Sequence, residues 1–309
     1  MQGSPHRAYI PVCCNAPDES VHANMRAALA RGLPLLQLVQ PHGGVAVMVG
    51  GGPSLAGELH KLRAHVEMGH AIVALNGTAK WLRKRGINAN YHILLDAREF
   101  NAEFIEHRAK GTHFLIAAQC APAVFDRVGK RPCTVWVPAV PGWEDIVGDR
   151  DTAPIGKPGN TVGLLGTQVM AILGFRVFHL YGFDSCYAGD ANHAYAQPAN
   201  DGENTIEVDL GGRKFKAATW MVHQVDDYKT LAYTYAELYD CEFYVHGDGL
   251  LQHMHHEMLR PPHPSAACYD LTNAPASWDF CTWLVRAEME RRMRGAPAPL
   301  RVAFMPGPK

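Results

Sequence analysis

The amino-acid sequence predicts an α/β fold: a mostly parallel sheet with helices on both faces and an inserted β-hairpin. Short apolar runs of strand length alternate with segments of helix length from residue 45 to residue 247. The first run, VAVMV, is followed by the glycine-rich turn GGGPS, as many strands of parallel sheets are followed by such turns. A later segment, TIEVDLGGRKFKA, alternates polar and apolar residues around two adjacent glycines, which is the pattern of a hairpin.

The elements follow in chain order. Residues 1–20 are expected to be irregular, and spaced apolar residues over 21–39 predict a helix that is interrupted or ends near Pro34. The predicted strands are 45–50, 71–75, 91–96, 112–118, 133–138, 177–184 and 242–247. The predicted helices are 55–68, 78–85, 99–109, 121–128, 161–173, 220–238, one that starts near 248, and 276–294.

The hairpin, residues 205–217, lies between the strand ending at Asp184 and the helix beginning near Trp220. It is therefore inserted on the side of the sheet where ligands bind, and it is a candidate lid or a plain structural flap.

Three parts are expected along the chain. Residues 1–40 form an N-terminal helical extension, and residues 41–260 form a Rossmann-like domain that carries the hairpin insertion at 186–218. Residues 261–309, after a proline-rich boundary, form a C-terminal helical extension. The ending PLRVAFMPGPK has the pattern of an opening strand, as at the start of a truncated further domain or in a strand added at a sheet edge.

Composition limits the classes of partner. The 309 residues are 47% hydrophobic, enough for a large core, and 29 basic residues balance 30 acidic ones. No apolar run approaches the roughly 20 residues of a membrane helix, and the start of the chain has no signal-peptide pattern. The eight cysteines contain no CxxC pair and are expected to be reduced thiols. We expect a cytoplasmic protein with no nucleic-acid partner and no membrane span, and a homo-oligomer stays open.

The glycine-rich turn is the first candidate site. Gly50, Gly51, Gly52, Pro53 and Ser54 follow a buried strand and precede a helix, an order that brings backbone amides against a phosphate. The turn matches neither the GxGxxG fingerprint nor the P-loop pattern. The alternative is a tight turn that binds nothing.

Further polar residues follow the other predicted strands. Because the carboxyl ends of parallel strands share one edge, we expect these residues to lie near the glycine turn. They are Asn76, Thr78, Asp96, Asn160, Thr161, Asp184 and Tyr187. Each one alone could be a helix cap instead. The two aspartates could hold Mg²⁺, contact a ribose hydroxyl or cap a turn.

Histidine supplies the candidate proton carrier. His223 is expected near the start of a helix beside the site, where it could transfer a proton or be a buried, hydrogen-bonded side chain. His193 and Tyr195 precede the hairpin, and QHMHHE at 252–257 is interpreted as a solvated helix end rather than a zinc site. The sequence has no nucleophile elbow and no cysteine in an activating context, so covalent catalysis is unsupported.

The segments VGGGPSL, ALNGTAKWLRKRGINANYHILLD and GNTVGLLGTQVMAILGFRVFHLYGFD, in this order, resemble the MptE-like family over roughly residues 40–250. That family is named for an archaeal 6-hydroxymethylpterin diphosphokinase and includes flagellin-modifying motility accessory proteins and phage proteins. The resemblance implies a nucleotide-dependent transferase that moves a pyrophosphoryl or other activated group to a small hydroxyl acceptor. ATP would be the donor, with Mg²⁺ on Asp96 or Asp184. The pterin itself is not expected, because the family is broad.

The same order is similar to that of bacterial CMP-sialic-acid-dependent sialyltransferases, which have GNGPSL after the first strand. This second resemblance implies a glycosyltransferase with a CMP-activated donor. Asn76 and Thr161 would contact the nucleotide, Tyr187 and Tyr195 would bind phosphate, and His223 would be the general base. Leu75 stands where those enzymes have a cysteine, and the insertion 200–217 is not part of their pattern. A non-catalytic nucleotide-binding or structural protein is the third alternative.

Overall fold

The structure is a computed structural model that describes residues 16–106, 111–195 and 203–259. Several predicted features therefore lie outside the described residues: the irregular first fifteen residues, the end of the helix at 99–109, the helix at 276–294 and the strand-like ending.

A parallel sheet of eight strands organises the molecule, which confirms the predicted α/β fold. The strands are β1 (Val45–Val49), β2 (Ala71–Leu75), β3 (Tyr91–Leu94), β4 (His113–Ala117), β5 (Cys133–Pro138), β6 (Pro154–Ile155), β7 (Val177–Tyr181) and β10 (Glu242–Val245). Their order across the sheet is β10-β7-β1-β2-β3-β4-β5-β6. The chain thus winds from β1 toward one edge and returns to the other side of β1 with β7. Ligands of such sheets bind in the crevice at this reversal.

Helices cover both faces of the sheet. They are α1 (Asp18–Leu29), α2 (Leu59–Glu67), α3 (Thr78–Arg83), α4 (Pro122–Val128), α5 (Trp143–Val147), α6 (Val162–Ile172), α7 (Thr219–Tyr239) and α8 (Leu250–Leu259). Within the part of the chain that the structure describes, none of them combines the length and the hydropathy needed to cross a bilayer.

The apolar strand β1 contributes side chains to two hydrophobic clusters, one on each face of the sheet. Ala46 and Met48 belong to the larger hydrophobic cluster, whereas Val47 and Val49 belong to a smaller cluster with residues of α2 and α3. All four side chains are fully buried. A strand that is buried on both faces is continuously apolar, because successive side chains point to opposite faces.

Several predicted boundaries were wrong. Helix α1 begins at Asp18, inside the stretch expected to be irregular. The helix expected at 55–68 is a 3-10 turn, Pro53–Ala56, followed by the shorter α2, and the segment expected to be helical from 99 is a 3-10 helix, Glu99–Phe104. Strand β7 ends at Tyr181, three residues before Asp184. The short elements α5 and β6 were not predicted, because five-residue and two-residue segments are too brief to show a period.

The hairpin is present as predicted. Strands β8 (Thr205–Leu210) and β9 (Arg213–Ala218) are antiparallel, and the two glycines between them, Gly211 and Gly212, have φ of +62° and +82°. A two-residue turn of this kind requires positive φ at both positions, so glycine is favoured there. Arg213 binds Asp248 beside α8 through two nitrogen–oxygen contacts of 2.6 and 2.8 Å. The hairpin is therefore tied to the residue that precedes α8, and both alternatives, lid and structural flap, stay open.

The histidine-rich segment at the end of the described chain is not solvated throughout. His255 on α8 is buried, and its Nδ1 lies 2.8 Å from the hydroxyl of Tyr228 on α7. The interpretation of QHMHHE as a solvated helix end was wrong for this residue, because α8 packs against α7 and turns His255 inward.

Candidate functional site

A cavity of about 120 Å³ lies at the carboxyl ends of β1 and β7, the point where the strand order reverses. This is the edge of the sheet at which the sequence analysis expects the candidate residues to lie. Its walls come from six segments: 50–53 after β1, 75–76 at the end of β2, 161–163 at the start of α6, 182–186 after β7, Asn192 with His193 and Tyr195, and Trp220 with Met221 and Gln224 of α7.

Two of the three glycines of the turn lock the ends of β1 and β7 together. The amide of Gly50 donates to the carbonyl of Tyr181, and the amide of Gly52 donates to that of Gly182, each over 2.8 Å. A Cβ on Gly50 would lie 2.6 Å from the carbonyl oxygen of Gly182, and one on Gly52 would overlap the carboxylate of Asp184. Glycine is required at both positions because the two chain segments approach so closely. Both amides are thereby used within the protein.

Gly51, between them, is different. Among the described residues its N–H has no acceptor, while its carbonyl accepts the amide of Ala194 over 2.9 Å. A Cβ at this position would lie 2.8 Å from the hydroxyl of Tyr195 and 2.8 Å from Cδ2 of His193. The turn therefore offers one backbone donor to a ligand, beneath two side chains of the neighbouring loop.

Two long helices begin at the cavity. The first residues of α6 and of α7 form part of the wall, and Thr161 caps α6 by accepting the amide of Leu164 over 3.4 Å. The N-terminus of a helix carries a partial positive charge, which favours an anion. The described wall contains no lysine or arginine. A bound phosphate would thus be stabilised by backbone dipoles rather than by side-chain cations.

Asn76 presents an unsatisfied acceptor to this cavity. Its backbone has the left-handed φ of +46° and is held on both sides: the amide donates to the carbonyl of Ile93 over 3.0 Å, and the carbonyl oxygen lies 2.7 Å from Nε2 of His92. Its side-chain Oδ1 is buried without a partner among the described residues. A buried acceptor without a donor is unfavourable, so a ligand hydroxyl or amino group fits this position.

Asp184 holds the glycine-rich turn in place through a hydrogen bond. The residue is only 2% exposed, and Oδ2 accepts a hydrogen bond from the amide of Ser54 over 3.2 Å. Burial raises the pKa of this carboxyl above its ordinary value, since the charged form is poorly solvated there. Asp184 lines the cavity, but one of its oxygens is already used in the fold.

The predicted Mg²⁺ ligands are not brought together. The Asp96 carboxylate is paired with the guanidinium of Arg98 at 2.5 Å and lies away from the cavity wall. Within the described residues, the only group of three or more histidine, cysteine or acidic side chains near enough to hold an ion contains neither aspartate. Asp184 is the one carboxylate of the described wall, so a Mg²⁺ ion at this site would take its other oxygen ligands from the phosphates of a bound nucleotide.

Other predicted residues also lie off the wall, namely Ser54, Thr78, Asn160, Tyr187 and His223. Thr78 is fully buried, and its hydroxyl binds the carbonyls of Val49 and Leu75 at 2.9 and 2.6 Å. That hydroxyl has a structural task. His223 lies in the second turn of α7, whereas the wall is formed by neighbouring positions of the same helix.

Some wall residues were not assigned a role from the sequence. His193 is the chief example: its Nδ1 lies 3.0 Å from Oδ1 of Asn192, and burial lowers the pKa of the ring. A neutral His193 that donates from Nδ1 keeps a lone pair on Nε2. Cys186 also lines the cavity, but burial raises the pKa of its thiol to about 11, so it is not an activated nucleophile. The four described cysteines, at positions 120, 133, 186 and 241, are free and buried.

A model of the family described as "6-hydroxymethylpterin diphosphokinase MptE-like" matches residues 27–190, which is more than half of the chain. The chain belongs to the MptE-like family. This membership supports a nucleotide-related transferase as the class of protein, and it confirms the family expected from the sequence. No curated protein matches the chain in sequence.

Two solved structures are similar in fold to parts of this MptE-like chain. The MAf glycosyltransferase from Magnetospirillum magneticum AMB-1 superposes with a TM-score of 0.59 at 18% identity, over 74% of this chain. The chain spans 37% of that enzyme's length. The sialyltransferase CstII from Campylobacter jejuni, solved with the substrate analogue cytidine-5′-monophosphate, gives a TM-score of 0.37 at 14% identity, over 68% of this chain and 83% of that one. At 18% identity, the first likeness shows a shared α/β fold.

Proposed function

We propose that this MptE-like chain is a nucleotide-dependent transferase whose donor places its phosphates against Gly51 and the first turns of α6 and α7. One observation carries the proposal: a backbone N–H without an acceptor among the described residues and two helix N-termini meet in a cavity at the reversal of the strand order, and the described wall has no cationic side chain. Backbone dipoles of this kind stabilise phosphate charge without a lysine or arginine. Family membership supports the same class of activity.

The cavity also supplies a base. An acceptor hydroxyl that enters beside His193 would give its proton to Nε2, while its oxygen forms the new bond to the transferred group. The bond between that group and the nucleotide phosphate breaks, and the electron pair leaves on the phosphate oxygen, near the helix N-termini. His193 suits this task because its ring is neutral and Asn192 orients it through Nδ1. We therefore propose His193 as the base, with His223 as the competing assignment from the sequence.

The transferred group divides the two candidate activities. The family's description favours pyrophosphoryl transfer from ATP. One observation favours the second candidate, glycosyl transfer from a CMP-activated sugar: the described cavity wall holds a single carboxylate, Asp184, whose Oδ2 is used by Ser54. Phosphoryl-transfer enzymes hold Mg²⁺ through one or two carboxylates together with the substrate phosphates, whereas a nucleotide phosphate can leave a sugar without a protein-held metal.

The test begins with binding. Thermal shift and calorimetry are run with ATP, CTP, CMP and CMP-activated sugar, each with Mg²⁺ and with chelator. A ligand that binds the native state raises the melting temperature by mass action, so the preferred nucleotide identifies the donor class. If no nucleotide shifts the transition at millimolar concentration, the proposal is wrong.

Turnover then identifies the bond that is made. Release of AMP from ATP indicates pyrophosphoryl transfer, and release of CMP that persists in chelator indicates glycosyl transfer. We expect His193→Gln to abolish the release while nucleotide binding persists. If His223→Gln abolishes it instead, the assignment of the base to His193 is wrong. Tight binding of a nucleotide with no release under any condition would indicate a non-catalytic binding protein.

A further inference from the structure

A second group of polar side chains lies on the sheet face that α2 covers, away from the cavity. It contains His65 of α2, His179 in the middle of β7 and His246 directly after β10. One ring nitrogen of each lies within 4.8 Å of one ring nitrogen of each other. His65 is buried and the other two are partly buried. We refer to these three residues as the histidine cluster.

Each ring of the histidine cluster has a nitrogen within hydrogen-bond distance of another histidine's ring nitrogen. Nδ1 of His179 lies 2.9 Å from Nε2 of His246. On His65, Nδ1 lies 2.7 Å from Nδ1 of His70, and Nε2 lies 3.0 Å from the hydroxyl of Tyr181. A neutral imidazole carries one N–H and one lone pair. The cluster therefore concentrates several nitrogen lone pairs in one small volume.

We propose that His65, His179 and His246 bind a divalent first-row transition ion of the Zn²⁺ type. Zinc–nitrogen bonds of about 2.0–2.1 Å place tetrahedral ligand atoms about 3.3 Å apart. The separations within the cluster, from 2.9 Å to at most 4.8 Å, bracket that value, so small side-chain rotations suffice. Imidazole nitrogens suit zinc, copper, nickel and cobalt and do not suit Mg²⁺.

The residues around the histidine cluster also suit a metal site. The hydroxyl of Tyr181 lies 3.0 Å from Nε2 of His65, and an outer contact of this kind fixes the orientation of a metal-binding ring. Three protein nitrogens leave a fourth position for water or for His70. Strand β10 is at the edge of the sheet, where Tyr244 stacks on His179 with ring centroids 4.7 Å apart and is itself 45% exposed. The cluster therefore lies close to this edge of the sheet.

The ion would join three elements that are distant in sequence. It links α2, β7 and the end of β10, and β7 continues directly into the segment 182–184 below the cavity. We assign it a structural task, because the cluster lies on the sheet face and does not line the cavity.

The experiment uses the full chain without an affinity tag, treated with chelator and then freed of it. Co²⁺ is titrated while visible absorption is followed, and Zn²⁺ is then measured by competition. The test variants are His246→Gln and His179→Gln, and the matched control is His60→Gln, an exposed histidine of α2 outside the cluster. Circular dichroism of the metal-free proteins shows whether each variant is folded.

We expect the wild-type chain and His60→Gln to bind one tight equivalent, with the intense absorption of tetrahedral Co²⁺ and a higher melting temperature in Zn²⁺. Folded His246→Gln and His179→Gln should bind at least a hundredfold more weakly. Equal affinity of the wild-type and cluster variants would overturn the proposal, as would X-ray absorption of the zinc-bound wild type showing fewer than three imidazole ligands. The latter measurement decides even if a variant fails to fold.

Discussion

Replacing Gly51 with alanine separates the ligand-binding task of the glycine turn from its structural task. The added Cβ would lie 2.8 Å from the Tyr195 hydroxyl and from the His193 ring. Both are side chains that can move, and Gly51 is not among the glycines with positive φ. We therefore expect the free energy of unfolding to change by less than about 1 kcal/mol, the range of substitutions that neither strain nor empty the core.

Nucleotide binding should respond far more strongly. The methyl group stands beside the one amide of the turn that has no acceptor among the described residues. A hydrogen bond to a charged group contributes about 1.5–3 kcal/mol, so its loss should weaken binding roughly 10-fold to 150-fold. Isothermal calorimetry with the preferred nucleotide measures this, and chemical denaturation measures stability on the same preparations.

The matched control is Gly57→Ala. Gly57 ends the same loop in a helical conformation, with φ of −71°, and an added Cβ would be 3.5 Å from the Ser54 carbonyl oxygen, an ordinary contact. Gly57→Ala should bind as the wild type does. If folded Gly51→Ala binds a nucleotide with wild-type affinity, the phosphates do not lie against Gly51 and the proposed placement of the donor fails.

Two further predictions concern residues beneath the cavity. Thr78→Val removes a buried hydroxyl that binds the amide of Leu75 at 2.9 Å as well as two carbonyls. Denaturant titration should therefore show that the free energy of unfolding falls by about 2–4 kcal/mol, whereas Thr78→Ser should change it by no more than about 1 kcal/mol. Equal losses in the two variants would mean that the hydroxyl is not the cause. Burial lowers the pKa of His92 from 6.5 to about 4, so between these pH values the unfolded chain binds more protons than the folded one. The free energy of unfolding therefore falls as the pH drops from 6.5 to 4. At about 1.4 kcal/mol per pKa unit, this group contributes about 3 kcal/mol of that fall. His92→Gln should remove that part of the pH dependence, and an unchanged slope would contradict the assignment.

The sequence predicts the framework well where a local pattern carries the information. The apolar run of β1 and the paired glycines of the hairpin specify their own backbone geometry, and the structure has both. The start of α6 is also local, because Thr161 caps the helix with its own side chain. Such features depend on neighbours within a few residues.

The site could be predicted only in part, since its atoms are assigned by tertiary contacts. Which of the three glycine amides stays available depends on the carbonyls of β7, about 130 residues further along the chain. The Asp96 carboxylate is taken by Arg98, two residues away, and a pattern of strand ends cannot show that pairing. The histidine cluster has no spacing motif either. His65, His179 and His246 meet only because the sheet places β10 and β7 side by side under α2.

The size of the cavity adds a constraint on the proposed function. About 120 Å³ is less than the roughly 300–1,000 Å³ of most ligand pockets, so we expect part of the wall to move when a nucleotide binds. The ends of β1 and β7 are held by paired backbone hydrogen bonds at Gly50 and Gly52 and resist such movement. The side chain of Tyr195 covers Gly51, since a Cβ at Gly51 would lie 2.8 Å from its hydroxyl. We therefore expect the Tyr195 ring to move aside when a nucleotide enters, while His193 keeps its place. Because only the open fraction binds, the measured affinity of a nucleotide should rise when Tyr195 is replaced with alanine, even though one contact to phosphate would be lost. A fall in affinity would instead mean that the Tyr195 hydroxyl contributes more as a phosphate ligand than its ring costs as an obstacle.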